Sequence, residues 1–187
     1  MNYKAKIIKR IFDFILAFIL IIILFFVIIS LMLLATIDTK EKGIFTQKRI
    51  GYLGKPFIIY KIRTIKKTTQ SVSNFGAFLR ENKLDELPQL FNILIGDMSF
   101  VGPRPDVPGF ADKLNKEDKI ILSVKPGLTG PASLKFKNEE ALLKTLTNPQ
   151  KYNEDVIWPQ KIEINKNYIN NYSFFKDIYY ICKTLLN

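Results

Sequence analysis

Residues 14–37 read FILAFILIIILFFVIISLMLLATI, and this segment decides what kind of fold the chain can adopt. Its 24 residues contain no charge, glycine or proline. As a helix rising about 1.5 Å per residue, the segment would be roughly 36 Å long, against about 30 Å for the hydrocarbon core of a bilayer. A cleaved signal peptide has a shorter apolar region, and a buried core helix would carry a polar face, which this helix lacks. We therefore predict a membrane-embedded helix.

The flanks of this segment carry basic residues on both sides. Those before it are Lys4, Lys6, Lys9 and Arg10, and those after it are Lys40, Lys42, Lys48 and Arg49. Because basic flanks tend to stay on the cytoplasmic side, positive charge at both ends does not indicate which end of a plain span would be cytoplasmic. It is compatible with a segment that enters and leaves on the same side. A re-entrant path needs a helix break, however, and no glycine or proline supplies one. The residues leave a plain span and a re-entrant hairpin as comparable alternatives.

The composition limits the chemistry of the remaining chain. With 187 residues the protein has the length of one domain, and its formal net charge of +11 indicates an anionic partner: nucleic acid, a membrane surface or a phosphorylated substrate. The sequence contains no histidine, which excludes histidine triads and histidine-based zinc sites. Its single cysteine, Cys182, excludes an intramolecular disulfide and lies in an apolar run, where we expect it to be buried.

Residues 44–65 predict a β-hairpin. Two apolar runs flank the turn-rich sequence GYLGKP, which is typical of two strands joined by a short connection. In the second strand, alternation predicts that the even positions from Ile58 to Ile62 pack inward. Lys61 and Arg63 then share the other face, where they either meet an anionic ligand or simply contact solvent, which is the more common outcome.

The stretch LDELPQLFNILIGDMSFVGPRP, residues 84–105, combines a helix start with a rigid loop. Its apolar residues follow a helical spacing that includes Pro88, and proline is tolerated only in the first turn of a helix. We therefore predict that the helix begins at about Asp85, with Asp85 itself as the N-cap. Residues 101–109 and 124–131 are rich in proline and glycine, so we expect both to be surface loops.

Further helices are predicted around residues 75–81, from Asn138 and from Pro159. A last helix over residues 174–186 has most of its apolar side chains on one side. Such an amphipathic helix can pack on the domain or lie on a membrane, and core packing is the default expectation.

Asp85 and Glu86, two carboxylates at a helix start, are the candidate chemical groups. Unpaired amides and the helix dipole favour ionised carboxylates there, although their mutual repulsion opposes the ionisation of one of them. Such a pair suits a nucleophile or a magnesium ligand, while an ordinary capped helix start stays the simpler alternative. Arg104, fixed between two prolines, weighs against that alternative because its planar guanidinium suits bidentate contact with a phosphate. With the membrane segment, these residues indicate phosphoryl chemistry at a bilayer.

The motifs of this sequence resemble those of a known family. KRIFD, IFTQKRIG, YKIRT, LDELPQLFNILIGDMSFVGPRP and KPGLTGPASL occur in the order found in the small monotopic phosphoglycosyl transferases, the bacterial sugar transferases. The resemblance covers nearly the whole chain, and the run from DELPQ to GPRP is far more specific than a short motif. It implies an α/β (α+β) fold: a membrane helix within residues 1–40, then a helix-rich cytoplasmic catalytic domain with a β-hairpin, residues 41–187.

The resemblance also implies a reaction. Members transfer a phosphosugar from a UDP-sugar to polyprenyl phosphate, normally undecaprenyl phosphate, with release of UMP, at the start of surface glycan synthesis. By position, Asp85 matches the nucleophile that forms a covalent aspartyl-phosphosugar intermediate, and Glu86 matches its partner. Mg²⁺ is the implied cofactor, with Asp85 as its ligand. The residues implied in phosphate or substrate binding are Arg104, Lys61, Arg63 and Lys137. The implied location is the bacterial inner membrane, with the catalytic domain facing the cytoplasm.

The sequence departs from the family pattern at several positions. Phe25 and Phe26 stand where the family usually has Ser-Pro midway in the membrane helix, so a re-entrant path follows from the family and not from these residues. Lys125 and Lys137 stand at or near usual arginines, and Asn165 replaces a frequent acidic residue. A catalytically inactive membrane-anchored scaffold of the same fold is the alternative function. A nucleic-acid binder ranks last, because the basic residues are not interleaved with stacking aromatic side chains.

Overall fold

The computed structural model describes residues 1–186, and it begins with one continuous helix, α1 (Tyr3–Thr39). The Asn2 side chain caps its first turn, and Lys40 ends it in the left-handed conformation. The 37 residues of α1 give a length of about 55 Å. The helix continues without a break through residues 25–26, as expected for a segment without glycine or proline.

The remaining elements form a helix-rich domain with two short β-pairs. In chain order they are β1 (Ile44–Ile50), β2 (Pro56–Ile62), α2 (Asn74–Glu81), α3 (Gln89–Ile95), β3 (Ser99–Val101), β4 (Gly127–Thr129), α4 (Pro131–Lys135), α5 (Glu139–Lys144), α6 (Pro149–Tyr152), α7 (Trp158–Asn170) and α8 (Phe174–Leu185). The predicted class, an apolar N-terminal helix followed by a mixed α/β domain with a β-hairpin, is confirmed, and so are the helices predicted near Phe75, Asn138 and Pro159.

α1 contacts the rest of the chain through one narrow stripe. Its buried residues recur every four or seven positions: Lys9, Asp13, Ala17, Ile21, Ile28, Ala35 and Thr39. The other faces expose large apolar side chains, and only 11% of its most apolar 18-residue window is buried within the structure. Within residues 1–186, α1 is the one helix long and apolar enough to cross a membrane. A core helix of a soluble protein would be mostly buried, so the chain is a membrane protein.

The predicted hairpin is confirmed, but the predicted faces of its second strand are wrong in the middle. β1 and β2 pair antiparallel, yet Ile58 is 43% exposed whereas Ile59 is 2% exposed and belongs to the main core. The reason is α3, whose buried Asn92 side chain accepts from the Tyr60 N–H at 3.1 Å and donates to the Ile58 carbonyl at 2.7 Å. α3 is thus held at this edge of β2, and its Leu90 and Ile93 share the main core with Ile59.

β3 and β4 form a short parallel pair inside the domain. Ser99 lies opposite Gly127, and Val101 lies opposite Thr129. The surface loops predicted at residues 101–109 and 124–131 are therefore wrong where these strands run, because Val101, Gly127 and Thr129 are buried. A Cβ on Gly127 would lie 2.1 Å from the Gly102 amide nitrogen, so the two backbones approach more closely than any other residue would allow.

Two hydrophobic clusters hold the domain together. The main one joins α1, α3, β2, β3 and α7 through residues that include Ala17, Ile59, Ile93, Phe100 and Ile162. The second joins the C-terminal end of α1 to β2 and α2 through Ala35, Ile62 and Leu79. The main cluster thus fixes α3 and the middle of β2, and the second cluster fixes the C-terminal end of β2.

α8 buries a different face from the one that its sequence predicts. Phe175 and Leu185 are each 81% exposed, whereas Asp177 is buried and meets the Lys9 ammonium at 2.5 Å. An ion pair, together with Tyr180 and Ile181 packed against the main cluster, therefore fixes how α8 sits against α1. Cys182 lies on the outward face and is exposed, so the expectation that it is buried is wrong.

Candidate active site

The two candidate carboxylates lie in a tight turn immediately before α3. Lys83 adopts the left-handed conformation, and residues Leu84–Glu86 form a single 3₁₀ turn that the Leu87 N–H closes by donating to the Leu84 carbonyl. The chain does become helical near Asp85, as predicted. Asp85 is not the N-cap, however, because Pro88 occupies that position of α3 and the chain takes one extra 3₁₀ turn before it.

Glu86 is held between two cations. Its Oε1 accepts from Lys61 Nζ at 2.7 Å and from Arg104 Nη2 at 2.7 Å, and its side chain is almost entirely buried. Burial alone would raise the pKa of Glu86, but the charges of Arg104 and Lys61 outweigh burial and lower that pKa to about 2. Glu86 is therefore ionised at neutral pH and fixes Lys61 and Arg104 beside each other.

Asp85 occupies a different electrostatic environment from its neighbour. It is 8% exposed, and Lys61 Nζ lies 3.9 Å from its Oδ2, more than 1 Å farther than from Glu86. Burial raises the pKa of Asp85, Lys61 opposes the rise, and the Glu86 charge adds to it. The adjacent carboxyls are thus shifted in opposite directions, which leaves Asp85 as the less firmly paired and more basic of the two.

Arg104 reaches this turn from the loop that follows β3. Pro103 and Pro105 on either side of it are buried, while the Arg104 side chain is half exposed. Glu86 raises the pKa of the Arg104 guanidinium, which stays charged. Because the two prolines restrict the backbone, the guanidinium is presented from a fixed position.

The predicted substrate-binding residues do not all meet at this turn. Lys61 and Arg104 do, whereas Arg63 donates to the Lys42 carbonyl at 2.8 Å and stacks on the Phe45 ring. Lys137 is exposed between α4 and α5. The binding roles of Arg63 and Lys137 stay predictions, and the structure gives Arg63 a place in the hairpin instead.

Residues that the sequence reasoning missed complete the surroundings of Arg104. Arg49 Nη1 donates to the Pro105 carbonyl at 3.2 Å, and Gln89 is buried at the start of α3. The pairing register of the hairpin could have revealed Arg49. Phe45 of β1 lies opposite Lys61 of β2, and because side chains alternate along a strand, Arg49 lies on the same face of the hairpin as Phe45 and Lys61. Helical spacing could have revealed Gln89, which follows Asp85 by four residues.

Asp106 is a further, half-buried acid near these groups. Burial raises its pKa to about 6, although Lys161, Arg49 and Arg104 all favour its charged form. It lies beside a small cavity lined by Ile50, Gly51, Pro103, Arg104, Asp106, Ala111, Ile121, Leu122, Val124 and Pro126. No sequence motif singled it out.

The donor set around Asp85 can be tested against magnesium. Among the described residues no three acidic, cysteine or histidine side chains converge, so the protein itself provides no closed metal cage. Mg²⁺ in phosphate sites commonly takes one or two carboxylates together with substrate oxygens and water. Asp85, which is less firmly paired than Glu86, fits that kind of shared site.

Comparison with known proteins identifies the family. A family model described as bacterial sugar transferase matches residues 4–187. The chain belongs to the bacterial sugar transferase family. This membership confirms the predicted family and the predicted enzyme class, a phosphoglycosyl transferase.

Relatives of this sugar transferase differ in length and in the sugar that their names specify. It is 31% identical over 189 residues to an uncharacterized sugar transferase, EpsL, of Bacillus subtilis, covering 96% of this chain and 86% of the relative. It is 28% identical over 208 residues to the undecaprenyl-phosphate galactose phosphotransferase of Salmonella typhimurium, covering 97% and 40%. It is 32% identical over 202 residues to the UDP-glucose:undecaprenyl-phosphate glucose-1-phosphate transferase of Klebsiella pneumoniae, covering 99% and 41%. The chain thus spans about 40% of the longer relatives.

Proposed function

We propose that this transferase moves a sugar phosphate from a UDP-sugar to undecaprenyl phosphate and releases UMP, as the first membrane step of a surface glycan. The names of the longer relatives support the donor and acceptor classes. The observation that carries the proposal is the arrangement at the 3₁₀ turn: Glu86 holds two cations in place beside a second, less firmly paired carboxylate, Asp85.

Asp85 is the proposed nucleophile. Its carboxylate oxygen attacks the phosphorus that carries the sugar, the bond from that phosphorus to the UMP oxygen breaks, and an aspartyl-phosphosugar forms. A phosphate oxygen of undecaprenyl phosphate then attacks the same phosphorus, the bond to Asp85 breaks, and the carboxylate is regenerated. Splitting the transfer in two lets a water-soluble donor and a lipid acceptor use the site in turn.

Lys61 and Arg104 offset negative charge while Asp85 reacts. Both lie at bonding distance from Glu86, so their positions are set before substrate binds and no reorganisation is needed as charge develops. Asp85, together with substrate phosphate oxygens, would hold Mg²⁺, which supplies further neutralisation of the diphosphate when bound. The basic shift of Asp85 keeps its oxygen a better nucleophile than that of Glu86.

A release assay tests the reaction. Purified full-length protein with magnesium, undecaprenyl phosphate and each member of a panel of UDP-sugars should release UMP with at least one sugar. Asp85→Asn keeps the size of the side chain but removes the charged oxygen, so UMP release should fall by at least about 10³-fold. Wild-type turnover by Asp85→Asn would contradict the covalent step, and no release with any sugar would favour the inactive scaffold.

α1 is proposed to keep both of its ends on the cytoplasmic side of the inner membrane. Lys9 is bonded to α8 near one end of the helix, and Ala35 packs in one cluster with Ile62 and Leu79 near the other. These contacts lie about 40 Å apart along the helix, which exceeds the roughly 30 Å of a bilayer core. A domain on one side of the membrane therefore cannot make both contacts with a plain span, and because α1 is unbroken, it would lie along the bilayer surface and not form a hairpin through it.

Cysteine labelling tests this topology. Asn2→Cys and Lys42→Cys, each in a Cys182→Ser background that removes the exposed native thiol, should both react with an impermeant maleimide from the cytoplasmic side. Protection of either position would contradict the proposed arrangement.

A further inference from the structure

A small recess lies next to the pair formed by Glu86 and Arg104. It is lined by Arg49, Ile59, Lys61, Gln89, Arg104 and Pro105. The recess has room for about one water-sized group, so it cannot hold a sugar or a base, but it can receive a single oxygen atom.

Two buried donors at this recess have nothing to bond. Gln89 is 3% exposed, and among the described residues neither its Nε2 nor Arg49 Nε has a hydrogen-bond partner. The other Arg49 nitrogens are engaged: Nη1 donates to the Pro105 carbonyl at 3.2 Å and Nη2 to Gln47 Oε1 at 2.7 Å. A buried donor without an acceptor costs about 1–3 kcal/mol, so two of them at one small recess require an explanation.

The charges around the recess specify what would satisfy these donors. Arg49, Lys61 and Arg104 all contribute to its lining, while no acidic residue does. Glu86 lies behind it and already uses Oε1 to accept from both Lys61 and Arg104. Desolvation and the Arg104 charge lower the pKa of Arg49, as expected where cations face each other without enough negative charge. An anionic oxygen would accept hydrogen bonds from the unpaired donors and would also offset the excess positive charge.

We propose that the recess binds one oxygen of a substrate phosphate, with Gln89 Nε2 and Arg49 Nε as the donors. This inference rests on the proposed function, which it sharpens by adding two binding residues to Lys61 and Arg104. The oxygen belongs either to the diphosphate of the donor or to the phosphate of the lipid acceptor. Both present the same chemistry to the recess, and the kinetics described below separate them.

Direct binding of orthophosphate and pyrophosphate tests the recess without any turnover. Calorimetry on the full-length protein in nanodiscs should show that Gln89→Met, which keeps the length of the side chain but removes its donor, weakens binding by about tenfold. Arg49→Lys, which keeps the charge but removes Nε, should have a similar effect. The matched control is Gln150→Met, because Gln150 is exposed on α6.

A second variant keeps the test decisive if Gln89→Met does not fold. Gln89→Glu has the size of the native side chain and places a carboxylate against the phosphate, so binding should weaken still more. Unchanged phosphate binding in a folded Gln89 variant would overturn the proposal and leave the recess to water.

Steady-state kinetics then identify the source of the oxygen. A rise in KM for the UDP-sugar alone assigns the recess to the donor diphosphate, and a rise in KM for undecaprenyl phosphate alone assigns it to the acceptor. If wild type binds phosphate in a Gln89-dependent manner but releases no UMP, the proposed function is wrong and the phosphate-binding role of the recess is supported. If Gln89→Met releases UMP with unchanged kcat and KM and binds phosphate normally, the phosphate-binding role of the recess is wrong and the proposed function is supported.

Discussion

At the scale of single residues, the site separates two adjacent carboxyls by giving them different neighbours. Glu86 touches both cations at 2.7 Å and has a pKa of about 2, whereas Asp85 lies 3.9 Å from Lys61 and has a raised pKa. One carboxylate positions the cations and the other stays available for reaction. The residue types alone could not decide which of the two plays which part, because both occupy the same turn, and at the sequence level only the family resemblance assigned the nucleophile to Asp85.

The pKa of Asp106 leads to a prediction about stability. Burial raises it from 3.8 to about 6 in the folded state, while the unfolded chain keeps the ordinary value. The folded state therefore binds the proton more tightly, so the contribution of Asp106 to stability is complete below about pH 4 and is lost as the pH rises through about 6. At 1.36 kcal/mol per pKa unit, the loss is about 3 kcal/mol.

Asp106→Asn should remove this dependence. Relative to wild type, the variant should gain thermal stability between about pH 4.5 and about pH 7.5, measured as the difference in Tm between the two proteins at each pH. Asp155→Asn, at an exposed position of the segment between α6 and α7, is the matched control. An identical Tm difference at both pH values would show that Asp106 does not titrate in this range.

At the scale of elements, close approach of backbones decides the pairing of β3 and β4. Gly127→Ala should lower stability by about 3 kcal/mol or more, because its Cβ would lie 2.1 Å from a backbone nitrogen that cannot move aside easily. Gly109→Ala is the control, since nothing lies within 4 Å of its Cβ and only its φ of 108° is strained. Tm values of the two purified variants provide the comparison, and equal losses would contradict the packing argument.

The same contrast explains which elements the sequence could predict. The hairpin and the helices have local patterns: alternation for β1 and β2, and helical spacing for α2 and α7. β3 and β4 are three residues each and are flanked by glycine and proline, so no local pattern marks them and their pairing depends on contact between distant segments. The inner face of β2 was mispredicted for a related reason, because Asn92 of α3 bonds to its edge and no pattern within the strand records that.

Most residues of the candidate site could be predicted from the sequence, and the others could be recognised only in the folded structure. Asp85, Glu86 and Arg104 follow from one motif, and Lys61 follows from the hairpin. Arg49 and Gln89 come from segments 40 residues apart, and although each lies within one of the family motifs, nothing in the sequence assigned a role to either. Only the unpaired donors in the folded structure draw attention to them.

At the scale of the whole molecule, one buried ion pair joins α1 to α8. Asp177 accepts from Lys9 Nζ at 2.5 Å and from the Tyr168 hydroxyl at 2.7 Å, and both charged side chains are almost fully buried. Packing of the membrane helix against the domain therefore depends on a charge balance as well as on the apolar stripe of α1.

Asp177→Asn should destabilise the protein by about 3–5 kcal/mol, because Lys9 would stay buried after losing its bonded counter-charge and keep only the more distant Asp13. Replacing both partners, with Lys9→Met and Asp177→Leu together, should recover much of that loss, since neither partner is then left as an unpaired buried charge. Denaturant unfolding of the detergent-solubilised protein measures both effects. Glu163→Gln, at an exposed position of α7, is the control, and a loss from Asp177→Asn no larger than that of the control would contradict the argument.

The distance between Lys9 and Asp177 along the chain also sets an order of events during biosynthesis. The two residues are 168 positions apart, and the ribosome delivers α1 long before α8. Until α8 emerges, the Lys9 ammonium has to stay in water or among lipid headgroups, so α1 waits at the bilayer surface without its final docking. Closure of the ion pair is then a late step of assembly, and α1 reaches its final docking only after the last helix of the chain has been made.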